Sequence, residues 1–126
     1  MEKELSLNEY QEKAMKTCMP SCDNPSYMLF NLVGEVGEFA SKLAKDIRKG
    51  NVRIENNELI FTTRITLTEA LERLEEYKKE AGDMLWQLFG VFSVMGWKAN
   101  DVAIGNLDKL ADRASRGKID GDGDNR

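Results

Sequence analysis

The sequence predicts an all-α protein, a four-helix-type bundle with one small β-hairpin insertion around residues 52–62. Two observations carry the helices. Apolar residues recur at helical spacing through two long segments, and helix-start and helix-stop residues bracket four segments. A third observation carries the hairpin: between residues 52 and 61 the pattern alternates on either side of Asn56-Asn57.

The elements follow in chain order. Ser6 with Glu9 reads as a capping box opening a helix over residues 7–17. Residues 19–25 hold both prolines and Asp23-Asn24, which predicts a loop, with Asn24 capping a helix whose first residue is Pro25. That second helix carries Leu29, Leu32, Val33, Val36, Phe39, Ala40, Leu43 and Ile47, and is expected to end near Gly50. Thr66 with Glu69 opens a third, with Ala70, Leu71, Leu74, Tyr77, Ala81, Met84, Leu85, Leu88, Phe92 and Met95 as its apolar stripe and Gly96 as its end. A fourth runs from about 100 to 115 and closes at Gly117.

Length and composition bound the rest. A chain of 126 residues is one ordinary domain, so 1–126 is expected to form a single helical unit with 119–126 as a flexible tail. No apolar run approaches the ~18 residues of a membrane span, so no membrane partner and a cytoplasmic location are expected. A net charge of −4 argues against non-specific nucleic-acid binding. Cys18 and Cys22 are too few for a structural zinc site and read as ordinary thiols. The chain has no histidine. That excludes His-based triads, HExxH zinc sites and the ExxH half-sites of di-iron bundles, and leaves acid–base and metal chemistry to carboxylates, lysines, tyrosines and water.

Two i,i+3 acid pairs stand out, Glu35/Glu38 and Glu80/Asp83. Spacing alone says little, since Glu9/Glu12, Glu69/Glu72 and Glu72/Glu75 share it on ordinary solvated faces. Surroundings distinguish them. Glu35 and Glu38 are the only charges in residues 27–41, and Asp83 is the only one in 81–97. An ionised carboxylate in such surroundings is costly unless paired or metal-bound. Gly34, Gly37 and Gly82 sit beside these acids inside helices, each at a cost of about 1 kcal/mol relative to Ala. Missing Cβ atoms there predict a tightly walled pocket. Four facing carboxylates suit a hard divalent cation such as Mg²⁺; edge acids at a dimer contact are the alternative. The acids fall beside or opposite the apolar stripe, which predicts a second packed surface supplied by a partner subunit.

On the fourth helix Asn106, Lys109 and Arg113 share one face, a spacing suited to phosphate oxygens and equally to a solvated basic face. The tail DGDGDN opens like a calcium loop but has Asn125 at the glycine position and ends before the closing Glu. A tail arm carrying Arg126 over a nucleotide is the functional reading of that segment. No GxxxxGK phosphate loop and no GxGxxG after a strand is present.

Taken together, EVGE (35–38), KEAGDMLW (79–86), NLDKLADR (106–113) and the ending GDGDNR resemble the MazG-like, all-α NTP pyrophosphatases. The likeness is to short members with a GDNR-like tail and spans about residues 7–126. It implies that Glu35, Glu38, Glu80 and Asp83 hold Mg²⁺, with Mn²⁺ as a substitute. It further implies that Asn106, Lys109, Arg113 and Arg126 contact the triphosphate, and that the chain forms a homodimer or homotetramer. The implied activity is hydrolysis of an NTP or dNTP to the monophosphate and pyrophosphate, with Glu38 and Glu35 as the catalytic acids. A dUTP- or dCTP-preferring enzyme of the same superfold and a catalytically silent helical dimer acting as an interaction module are the alternatives. The pattern departs from the family at Gly34, where many relatives have the first acid of EExxE, and at Gln87, where many have an aromatic. Residues 51–66 look like an insertion.

Overall fold

A computed structural model describes residues 2–123. Four α-helices and one hairpin follow the expected order: α1 (Leu7–Met15), α2 (Pro25–Arg48), β1 (Val52–Glu55), β2 (Glu58–Phe61), α3 (Leu67–Val94) and α4 (Ala99–Ser115). The expected loop before α2 contains one 3-10 turn, Pro20–Cys22. No helix among the described residues is long and apolar enough to cross a membrane.

The caps show why the helices start where they do. Asn24 accepts the Tyr27 N–H at 2.8 Å, with Pro25 in the first turn of α2. Thr66 and Glu69 close a full capping box on α3. On α1 only half of the expected box forms: Ser6 accepts from Glu9 N–H at 3.0 Å, but Glu9 Oε2 is buried without a hydrogen-bond partner among the described residues. Lys98, ahead of α4, makes no side-chain cap. Side chains of α1 replace it, Gln11 accepting from Ala99 N–H at 2.8 Å and Asn8 from Asn100 N–H at 2.9 Å. This capping across elements orients α4 against α1. Gly50, at φ +78°, ends α2 in a Schellman turn in which Asn51 N–H reaches the Asp46 carbonyl at 2.9 Å.

The hairpin is antiparallel, with Val52 opposite Phe61 and Glu55 opposite Glu58. Asn56 and Asn57 both take positive φ, as a two-residue primed turn requires. Its base is held by the Thr62 hydroxyl donating to the Gly50 carbonyl at 2.6 Å.

Helices α2 and α3 form the central antiparallel pair. Three contacts mark its length: Asp46 with Arg73 and Tyr77, Lys42 with Glu80, and Met28 with Gly90. Asp46 is the most heavily bonded buried acid, accepting from Arg73 Nε and Asn51 Nδ2 at 3.1 Å each and from the Tyr77 hydroxyl. Helix α1 lies along α3, with Tyr10 edge-on to Phe89 (ring centroids 4.9 Å apart) and Trp86 Nε1 donating to Thr17 Oγ1 at 3.0 Å.

Helix α3 buries only one edge of the expected stripe, together with polar residues beside it. Ala70, Tyr77, Glu80 and Gln87 are buried, with Arg73 and Met84 half-buried on the same line. Leu71, Leu74, Leu85 and Leu88, one residue or 100° around the helix, stay exposed. The polar pairs to Asp46 and Lys42 rotate the first line toward α2, and one helix cannot cover both. On α2, Phe30 (74 %) and Val33 (66 %) are likewise open to solvent.

The close-packed glycine is also elsewhere. A Cβ on Gly37 or Gly82 would meet nothing within 4 Å, and one on Gly34 only Asn31 Oδ1 at 3.8 Å. Within this chain they wall no pocket. A Cβ on Gly90 would overlap Met28 Sδ and stand 2.9 Å from its Cε, and Met28 is fully buried. Gly90→Ala is therefore expected to destabilise the chain by about 1–2 kcal/mol despite the better helix former. Gly37→Ala is expected to stabilise the isolated chain by up to about 1 kcal/mol. Urea denaturation of both variants checks the opposite signs.

Candidate metal and nucleotide site

Residues 35 and 38 lie one turn apart on α2, and residue 80 faces them from α3. This brings a carboxylate oxygen from each of Glu35, Glu38 and Glu80 within 4.8 Å of the others. Glu80 is 8 % exposed, Glu35 is half-buried and Glu38 is open. Neither Glu35 Oε2 nor Glu80 Oε2, both buried, has a hydrogen-bond partner among the described residues. Three converging acids with two orphaned oxygens form a hard, all-oxygen donor set, the kind a small divalent cation takes. The residues fit such an ion.

Asp83, the fourth expected ligand, is exposed and does not belong to this converging set. Its charge is nonetheless felt: burial chiefly, then Glu38, Asp83 and Glu80, hold the Glu35 carboxyl above its ordinary range. Asp83 also acts on Tyr10 of α1, whose hydroxyl is raised first by burial.

The α4 residues stand apart from the α2–α3 pair. Asn106 and Lys109 are exposed, whereas Arg113 is buried and its Nη2 reaches the Gly123 carbonyl at 3.5 Å. The three share a helix face but not an environment. Arg126 lies outside the described residues. Gln87 is buried, with Oε1 lacking a hydrogen-bond partner among the described residues.

Two groups of side chains at the site have no place in the pattern expected from sequence. Lys42 Nζ is 2.7 Å from Glu80 Oε1, and that bond raises the lysine's pKa. The i,i+4 spacing from Glu38 to Lys42 is the sequence signal that points to it. The buried Asp46–Tyr77–Arg73 cluster lies further along the same helix pair and fixes its register. Nothing local announces it, because Asp46 and Tyr77 are 31 residues apart.

The shifted carboxyls set the pH response of the metal-free chain. Asp46 sits in a buried setting that alone would raise it, but bonds from Tyr77, Asn51 and Arg73 together hold it below its ordinary 3.8. Its stabilisation is present above that value and is lost as pH falls through the lower, folded one. Glu35 behaves oppositely. Its folded pKa lies above the ordinary 4.5, so the folded chain binds the extra proton and gains stability as pH falls through the raised value. In EDTA the protonation of Glu35 is expected to add to the melting temperature as pH falls toward 4.5, and that of Asp46 to lower it as pH falls below 3.8. Saturating Mg²⁺ is expected to flatten the rise. A melting temperature that declines steadily from pH 7 downward contradicts this assignment of Glu35.

Comparison with known proteins gives the family. The MazG nucleotide pyrophosphohydrolase domain matches residues 23–117, the stretch that contains every acid of the cluster. A relative, the Gene 37 protein of Mycobacterium phage L5, is 32% identical over 106 residues, covering 84% of this chain and 80% of that protein. No solved structure matches the chain. With the domain pattern running over most of its length and through the helix pair that presents the acids, the chain belongs to the MazG nucleotide pyrophosphohydrolase family.

Proposed function

We propose that this chain is a Mg²⁺-dependent nucleoside triphosphate pyrophosphohydrolase that converts an NTP or dNTP to the monophosphate and pyrophosphate. The convergence of Glu35, Glu38 and Glu80, with two buried oxygens lacking partners, carries the reading. Those three acids would hold the ion, with Asp83 at the rim. A bound divalent cation supplies charge neutralisation to phosphate oxygens and acidifies water. Glu38, the exposed member, would orient the attacking water and accept its proton. Glu35, whose carboxyl is pushed above its ordinary range first by burial and then by the neighbouring acids, would gain from the charge of a bound cation. Lys109 and Asn106, exposed on α4, would contact phosphate oxygens of the substrate. Arg113, buried, ties the segment at Gly123 to α4 and would lend its positive charge to the phosphate side of the site.

The active species in this reading is a homo-oligomer, dimer or tetramer. Phe30, Val33 and Val36 on α2 and Leu71, Leu85 and Leu88 on α3 form more open apolar surface than one helix pair ordinarily leaves in water. Sedimentation analysis tests the assembly.

Release of pyrophosphate from a panel of NTPs and dNTPs, with and without Mg²⁺, tests the activity. Metal-dependent release of pyrophosphate is the expected result. Selectivity for dUTP or dCTP alone narrows the reading to a pyrimidine enzyme. Folded protein that turns over no nucleotide overturns it in favour of an interaction module.

A further inference from the structure

The acid cluster already has a cation at its edge. Lys42 lies one turn beyond Glu38 on α2 and reaches Glu80 Oε1 at 2.7 Å. Its side chain is 44 % exposed and that of Glu80 11 %. The lysine therefore enters from solvent and ends at the buried acid. Among the described residues no other ion pair involves the three acids. Glu76 and Glu38 also face this ammonium.

On the outer side of Lys42 runs a groove of about 540 Å³, lined by Glu38, Ser41, Lys42, Ala44, Lys45 and Arg48. Glu38 belongs to both groove and cluster, so the two share a wall. Neither Lys45 nor Arg48 is ion-paired with a described residue. Three cations and a hydroxyl along one groove that opens from an acid cluster make a path with a change of sign at Glu38. A metal-chelated polyphosphate has the matching pattern, a cation at one end and anionic oxygens trailing from it.

We propose that Lys42 has two stations. In the metal-free chain it is the counter-ion of Glu80, and when a divalent cation enters it moves into the groove, where with Lys45 and Arg48 it holds the trailing phosphates of the substrate. The second station rests on the function proposed above; the first does not. The lysine uses Glu80 Oε1 and leaves Oε2 without a partner, so an ion on Oε2 would put two positive charges on one carboxylate, and their repulsion favours the lysine's departure. The flexible four-carbon stem lets the head move while its base stays on α2.

The test uses the full chain and two probes. Mn²⁺ is titrated in, with the free ion followed by electron paramagnetic resonance, and pyrophosphate is then titrated calorimetrically as its Mn²⁺ complex. Lys42→Met removes the competing charge, so Mn²⁺ is expected to bind about threefold tighter than to wild type. Pyrophosphate is expected to bind about tenfold weaker, for want of one charge-assisted contact. Lys42→Gln provides the same comparison should the methionine variant fail to fold. Mn²⁺ affinity that is unchanged or weaker overturns the exchange, as does unchanged pyrophosphate affinity. Absence of Mn²⁺ binding to wild type and variant alike overturns the metal site itself, and the exchange with it.

Discussion

Glu38→Gln is expected to leave the chain folded and to lower Mg²⁺-dependent pyrophosphate release by about 100-fold or more. The substitution keeps the side chain's shape and removes one of three like charges crowded within 4.8 Å. Glu38 is exposed, so no buried partner is orphaned by the change. Relief of repulsion on Glu35 is expected to hold the metal-free melting temperature level or raise it slightly. Mg²⁺ affinity falls with the lost ligand, and excess Mg²⁺ is not expected to restore the rate, because the amide accepts no proton. The two readouts separate a chemical role from a structural one. Near wild-type turnover in this variant would count against the whole site.

The largest effect on stability is expected from Asp46→Ala. Three donors converge on this one carboxylate, and two of them, Tyr77 and Asn51, are themselves buried. Its loss leaves those donors and the half-buried Arg73 guanidinium without their acceptor, a loss of about 3 kcal/mol. For a chain of this size that corresponds to a drop of roughly 10 °C in melting temperature, measurable by calorimetry. Tyr77→Phe removes one of the three bonds and is expected to cost about 1 kcal/mol. Tyr77 also packs against Phe39, one residue beyond Glu38, and lies one turn before Glu80. Both variants are accordingly expected to weaken Mn²⁺ binding about tenfold without touching a ligand, because they loosen the elements that hold the acids.

The helices and the hairpin were legible in sequence because their signals are local. Asn24-Pro25, Thr66 with Glu69, Asn56-Asn57 and Gly50 each act within a few residues, and each stands in the role expected of it. The rotation of α3 was not legible. The edge of its stripe formed by Leu71, Leu74, Leu85 and Leu88 is more apolar than the line through Ala70, Tyr77 and Met84 that turns inward, and the long-range bonds of Asp46 and Lys42 favour the latter. The same limit applies to glycine. Gly34, Gly37 and Gly82 attract attention beside acids, yet the tight contact falls at Gly90, where Met28 arrives from 62 residues away. Of the expected acids, Glu35, Glu38 and Glu80 come together, since α2 and α3 run antiparallel with those residues at one level. Asp83 stays exposed outside that set, and the α4 residues depend on packing that a helix-face argument does not supply.

The hairpin between α2 and α3 offers an experimental handle. Residues 53–59 are exposed, while Val52 is buried and Asn51 and Thr62 secure the base. The turn at Asn56-Asn57 is thus a natural splice point, since lengthening a surface connection costs little chain entropy. A fluorophore or short epitope grafted there would ride on the helix pair and report on assembly or ligand arrival, with the grafted atoms kept clear of the acids.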